Sequence, residues 1–151
     1  MKTTLVTVFA AIAVFTTGCG IGTGEGAKYE GLYTATGNQT LTITGSGQTG
    51  NAVITGNRTV AEGLSSELIY ADEDCAWPAD INGNTATITP NTPCTYVKSG
   101  VTYSLTLTNG TITLSDTIIT VTMNGTASLN GPGGMIMVTW QSNETLTRAS
   151  K

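Results

Sequence analysis

From Tyr29 onward the chain alternates apolar with hydroxyl-bearing residues in short runs broken by Gly and Asn. A spacing of roughly 8–12 residues between such turn signals is the signature of half-buried strands. No 3.6-residue apolar period of helical length follows residue 28. The clearest unit runs Val101-Thr102-Tyr103-Ser104-Leu105-Thr106-Leu107-Thr108, then Asn109-Gly110, then Thr111-Ile112-Thr113-Leu114. A two-residue type I′ turn at Asn109-Gly110 sets Leu107 opposite Ile112 and Leu105 opposite Leu114, while Thr108 faces Thr111 and Thr106 faces Thr113. One face is then apolar and the other wet, as in an antiparallel sheet with one solvated side. A further turn at Asp116-Thr117 sets Ile119 against Leu114 and Val121 against Ile112, with Met123 continuing the face, so three strands form a meander.

Upstream, residues 29–36 and 39–44 flank Gly37-Asn38, which predicts another hairpin with Leu32 opposite Ile43. Asp80-Ile81-Asn82-Gly83-Asn84 centres a third. Further strands are predicted at 52–55, 67–71, 85–89, 135–141 and 144–148, with loops at Gly45-Ser46-Gly47 and Gly131-Pro132-Gly133-Gly134. The expected fold is all-β: an antiparallel up-and-down meander of about 8–10 short strands forming a small barrel or sandwich, because short connections make sequential strands pair.

Composition strengthens this. Thirty-one of the 151 residues are threonine, which suits a pleated surface and loses rotamer freedom in a helix. Charged residues make up 11% and histidine is absent, so surface polarity must come mainly from hydroxyls and amides.

The first eighteen residues have another character. Lys2 followed by an apolar stretch from Leu5 to Phe15 has the form of a signal-peptide core. It is too short for a membrane-spanning helix of about 20 residues. Thr16-Thr17-Gly18-Cys19 follows, and this segment resembles the lipobox of bacterial lipoproteins, with Thr16 standing where leucine is usual. The resemblance implies cleavage before Cys19 and lipidation of that cysteine. Glycines at every second position from Gly20 to Gly26 then read as a flexible tether over residues 19–28. The expected organisation is a signal peptide at 1–18, an anchored tether at 19–28 and one β-domain at 29–151. With its composition, the lipobox makes the chain resemble the small, Thr-rich, disulfide-bearing predicted lipoproteins of Gram-negative envelopes, so the expected location is the cell envelope, at the outer membrane.

All ten acidic residues lie beyond residue 18, against Lys28, Arg58, Lys98, Arg148 and Lys151. That balance disfavours nucleic acid, whose binding rests on neutralised phosphates. It also leaves the lipid on Cys19 as the expected membrane contact.

Three cysteines are an odd number for an exported chain, and acylation of Cys19 leaves Cys75 and Cys94 to pair. Folding the intervening segment at the Asp80-Ile81-Asn82-Gly83-Asn84 turn brings position 75 near positions 90–92, so the bridge clamps a hairpin base. With no CxxC and no histidine to activate a thiolate, a structural bridge is favoured over a reactive cysteine. Asp80, Asn82 and Asn84 have the first three spacings of a calcium loop, but Thr85 and Asn91 stand where glycine and a bidentate glutamate are needed. No metal site is therefore expected; Asp72 and Asp74, in the Asp72-Glu73-Asp74 run, and Asp80 are the weak candidates. Trp140, with Ile136 and Val138, reads as core; Trp77, between Cys75 and Pro78, either packs on the bridge or stands exposed as a recognition aromatic, and packing is favoured.

Without histidine, the usual general base and commonest metal ligand are missing, and no carboxylate pair can be assigned across a cleft. The expected function is non-enzymatic and without a cofactor: an anchored interaction or structural domain touching a protein or glycan. A lipocalin-like carrier of a small apolar ligand ranks second and a carboxylate-based hydrolase last.

Overall fold

The Asp116-Thr117 turn forms with the expected register, Leu114 facing Ile119 and Ile112 facing Val121. It belongs to a computed structural model that describes residues 24–63 and 67–149. Residues 1–18, Cys19 and the first part of the expected tether lie outside the described residues. A 3-10 turn at Glu25–Lys28 precedes nine strands: β1 (Gly31–Ile43), β2 (Thr49–Glu62), β3 (Glu67–Ala71), β4 (Ala76–Asn82), β5 (Thr85–Ile88), β6 (Pro93–Lys98), β7 (Val101–Ser115), β8 (Ile118–Gly131) and β9 (Gly134–Arg148).

All pairings are antiparallel. The sheet runs β5-β4-β3-β2-β1-β9-β8-β7-β6, and β5 also pairs with β7, which closes the meander into a ring. β5 and β6 lie end to end along β7, facing residues 110–113 and 101–106 in turn. Together they act as one interrupted strand, so the ring has eight positions for nine strands.

Two expected hairpins do not form. Gly37-Asn38 lies inside β1 and Asn109-Gly110 inside β7, and the two predicted runs after residue 134 join into β9. Five strands of 13 to 15 residues result where short ones were expected. The physical reason is close approach rather than chain reversal. A Cβ on Gly37 would run into the backbone of Asn143 on the neighbouring strand, and one on Gly110 would lie 2.8 Å from Ile88 Cδ1. Glycine inside a strand often marks such a contact.

In β7 the apolar parity does change, from Leu105 and Leu107 to Ile112 and Leu114, but a bulge between Leu107 and Asn109 makes the change. One extra residue in a strand swaps its faces just as a two-residue turn does. In β1 the parity never changes. Tyr33 and Ala35 are buried, whereas Leu32 is 64% exposed and does not meet Ile43. The Gly83-Asn84 turn, joining β4 to β5, forms as expected.

Inward residues divide the ring into two halves. Around the β4–β5 and β7–β8 turns the interior is filled by Tyr29, Leu68, Ile88, Ile112, Ile119 and Leu146, all fully buried. This end is plugged by the N-terminal segment. Tyr33 Oη donates to the Tyr29 carbonyl at 2.6 Å, Tyr29 Oη donates to the Gly83 carbonyl, and Arg148 Nη2 donates to the Glu30 carbonyl. Residues 25–28, expected as tether, thus form the first turn of the folded domain, with Gly26 buried against Glu62.

At the opposite end β3 and β4 stop short. Among the described residues, β3 pairs with residues 59–62 of β2 alone, so residues 49–58 keep an edge without a strand partner, and β6 has β7 on one side only. Among the described residues, the upper half is a curved six-stranded sheet, β2-β1-β9-β8-β7-β6, with a slot between its two edges.

Candidate functional site

The slot opens onto a cavity of about 260 Å³ at mid-height in the ring. Parity explains its lining. Arg58 sits two residues before Val60 on β2, and Glu144 two residues before Leu146 on β9, so both charged side chains take inward positions. Arg58 Nε donates to Glu144 Oε2 at 2.8 Å and to Tyr70 Oη at 2.9 Å, while Tyr70 Oη donates to the same carboxylate oxygen at 2.9 Å. Arg58 Nη1 donates to the Asn57 carbonyl. The ion pair is nearly buried, at 9% and 4% side-chain exposure. It forms the floor between the filled half and the open one.

Trp77, Trp140 and Tyr96 stand in the walls with Met123. Trp140 is buried, as expected, and its Nε1 donates to the Thr126 carbonyl. Trp77 is buried too, stacked on Tyr70 with ring centres 5.9 Å apart. Ser142, 4% exposed on the inward face of β9, has a buried Oγ with no hydrogen-bond partner. The rim is the β3–β4 loop, where Asp72 Oδ1 accepts from the backbone N–H groups of Asp74 and Cys75.

The Cys75–Cys94 disulfide spans this loop and the start of β6, with Cα atoms 5.7 Å apart. It ties the free-edged β6 to the rest of the ring. Of the weak metal candidates, Asp72 and Asp74 share the rim while Asp80 lies exposed near the far end of β4. No group of three potential ligands converges among the described residues. A second concavity, about 560 Å³ and lined by Leu41, Ile43, Leu129, Ile136 and Val138, lies at the open end. Beside it Met135 and Met137 are exposed at 67% and 45%, and Ile136, expected in the core, is 48% exposed.

No family model, curated protein or solved structure matches this chain. What the site can do rests on its chemistry.

Burial favours the neutral phenol of Tyr70 and Glu144 adds to it, so its pKa lies far above the usual tyrosine value. Burial alone would disfavour the Arg58 cation, but Tyr70 and Glu144 outweigh that, so its pKa also rises. Tyr29 is raised by burial and then by Glu25. Tyr96 is raised by burial, then by Asp74, Tyr103 and Asp72.

These tyrosines keep their protons longer when folded, so the stability they contribute is whole below the ordinary value of 10.0 and falls as pH climbs above it. Alkaline unfolding beginning above about pH 10 is the expected result. Tyrosinate absorbance followed beside circular dichroism checks it: the buried phenols should ionise only as the strand signal collapses. Complete ionisation of all five tyrosines with the fold intact would refute it.

Arg58 and Glu144 were not singled out from the sequence, since 86 positions separate them. The available signal was a charged residue at core parity on each strand.

Proposed function

We propose that this chain is a lipid-anchored β-barrel domain of the bacterial cell envelope, exported, held at the outer membrane through Cys19, and acting as a non-enzymatic interaction domain. The observation that carries the interaction is the free edge of β2, residues 49–58. It is long, and from Thr49 to Asn57 it contains no charge and no proline. Edges left this bare are templates for another strand, and proteins without a use for them cover or charge them. An extended segment of a partner protein fits such an edge through main-chain hydrogen bonds.

Chain direction supports the arrangement. Gly24 lies against Glu62 at the plugged end, and the five residue steps from Cys19 to Gly24 reach at most about 18 Å. The plugged end then faces the membrane and the slot stands clear of it. Two copies paired edge to edge through β2 would be antiparallel, with their plugged ends pointing apart, which anchors in one leaflet cannot satisfy. The partner is therefore a different protein. A second reading, carriage of a small apolar ligand, is favoured by the apolar concavity of about 560 Å³, which lies within the roughly 300–1,000 Å³ of ligand sites.

The test uses the full chain in bacterial membranes, with a photo-crosslinking side chain at Asn51. The wild type should carry acyl mass on an N-terminal Cys19 and lose both mass and membrane association in Cys19→Ala. It should form an adduct with a second protein that disappears in Val53→Lys/Thr55→Lys. An unlipidated chain beginning elsewhere overturns the anchor. Absence of an adduct, or one unchanged by the two lysines, overturns the edge.

A further inference from the structure

The cavity behind the slot has a charge of its own. Four carboxylates, Asp72, Glu73, Asp74 and Glu144, line it against two cations, Arg58 and Lys98. Arg58 is neutralised in place by Glu144 at 2.8 Å, while Lys98 lies 4.0 Å from Asp74 with an exposed ammonium, a contact that water and salt screen. The field entering the cavity from the rim is negative, and Tyr96 in the wall feels Asp74 and Asp72.

The walls are aromatic: Trp77, Trp140 and Tyr96 surround one small space. Aromatic faces attract cations, and more so when the cation is shed of water. Glu144 spends Oε2 on Arg58 and Tyr70, and Oε1 accepts no hydrogen bond among the described residues. Ser142 Oγ, two residues back along β9, is buried with no hydrogen-bond partner among the described residues. A buried hydroxyl left unpaired is costly and calls for an explanation. A polar ligand group in the cavity supplies one.

The volume of about 260 Å³ holds roughly nine waters at about 30 Å³ each, which is the size of a small organic ion rather than a lipid or a peptide. We propose that this cavity binds a small organic cation of the quaternary-ammonium type, with its charge among the aromatic walls and a hydroxyl or carbonyl group on Ser142. The apolar concavity at the open end takes no part, and although Ile54, Thr55 and Arg58 of β2 also line this cavity, the test below reads a small ligand and the crosslink a second protein, so the two proposals fail separately.

The chain's only two tryptophans both stand in this wall, so their emission reports the cavity directly. Choline is the probe, titrated into the full chain in detergent at constant ionic strength. Its uncharged isostere, 3,3-dimethylbutan-1-ol, is the control for shape. A saturable change in tryptophan emission with choline and none with the isostere is the expected result. Glu73→Gln/Asp74→Asn, changes at two exposed rim positions, should keep the wild-type circular dichroism and bind choline about five- to twentyfold more weakly. Asp72 is left intact because it caps the loop. No saturable response, an equal response to the isostere, or wild-type affinity in the double variant would each overturn the site.

Discussion

Replacing Glu144 by glutamine is expected to cost about 3–5 kcal/mol of stability, the range for breaking one half of a buried ion pair. The change keeps the shape of the side chain and removes its charge. It leaves the Arg58 guanidinium on the inner wall with 9% of its side chain exposed and its carboxylate gone. Tyr70 then loses its best acceptor as well. A domain of this size is stable by about 5–15 kcal/mol in all, so the loss is a large share of the whole.

The companion change separates the pair's net worth from the penalty of orphaning one charge. Arg58→Met/Glu144→Leu removes both charges and fills their space, and should recover most of what Glu144→Gln loses. Urea unfolding followed by tryptophan emission measures both variants. A single variant within about 1 kcal/mol of wild type would show that water entering through the slot solvates Arg58. A double variant no better than the single would show that the cluster holds the ring in register through more than its charges.

Reducing the Cys75–Cys94 bridge, or replacing both cysteines by alanine, is the second large effect. Cross-linking residues 19 apart removes chain entropy from the unfolded state, and the expected loss is about 3 kcal/mol. The loss should not be spread evenly. β6 pairs on one side alone, and the bridge is what fastens its first residues to the β3–β4 loop. β8 and β9 lie between neighbours on both sides. Hydrogen exchange in the reduced protein should therefore quicken first at the alternate β6 amides that bond to β7, well before the amides of β8 and β9. Uniform quickening across the sheet would contradict a local role for the bridge.

These effects bear on function because both features border the same cavity. The ion pair is its floor and the bridge is part of its rim. A variant that loosens either should also change the field and the aromatic spacing that a ligand meets.

The readings that failed and those that held have one physical source. Strand alternation has a period of two, so any local chemistry that shifts parity by one looks the same from the sequence. At Leu107 to Ile112 a tight Asn-Gly turn and a bulge both explain the pattern, and nothing local distinguishes them. The neighbours decide: β8 pairs with the whole length of β7, so the chain must run on. At Gly37 the neighbouring strand passes so close that only glycine fits, a fact about β9 rather than about β1. Conversely, Asp116-Thr117 and Gly83-Asn84 read correctly, because both flanking runs and their register agree with the turn.

The sequence by itself determined the all-β class, the antiparallel meander, the pairing of Cys75 with Cys94 and the core position of Trp140. Each follows from alternation, composition or counting, which act over a few residues or over the chain as a whole. Only the tertiary structure decided the lengths of the strands, the closure of the ring through β5 and β7, the bare edge of β2 and the meeting of Arg58 with Glu144. Those depend on which distant segments lie side by side, and main-chain hydrogen bonds between strands are alike at every residue, so no single residue announces its partner.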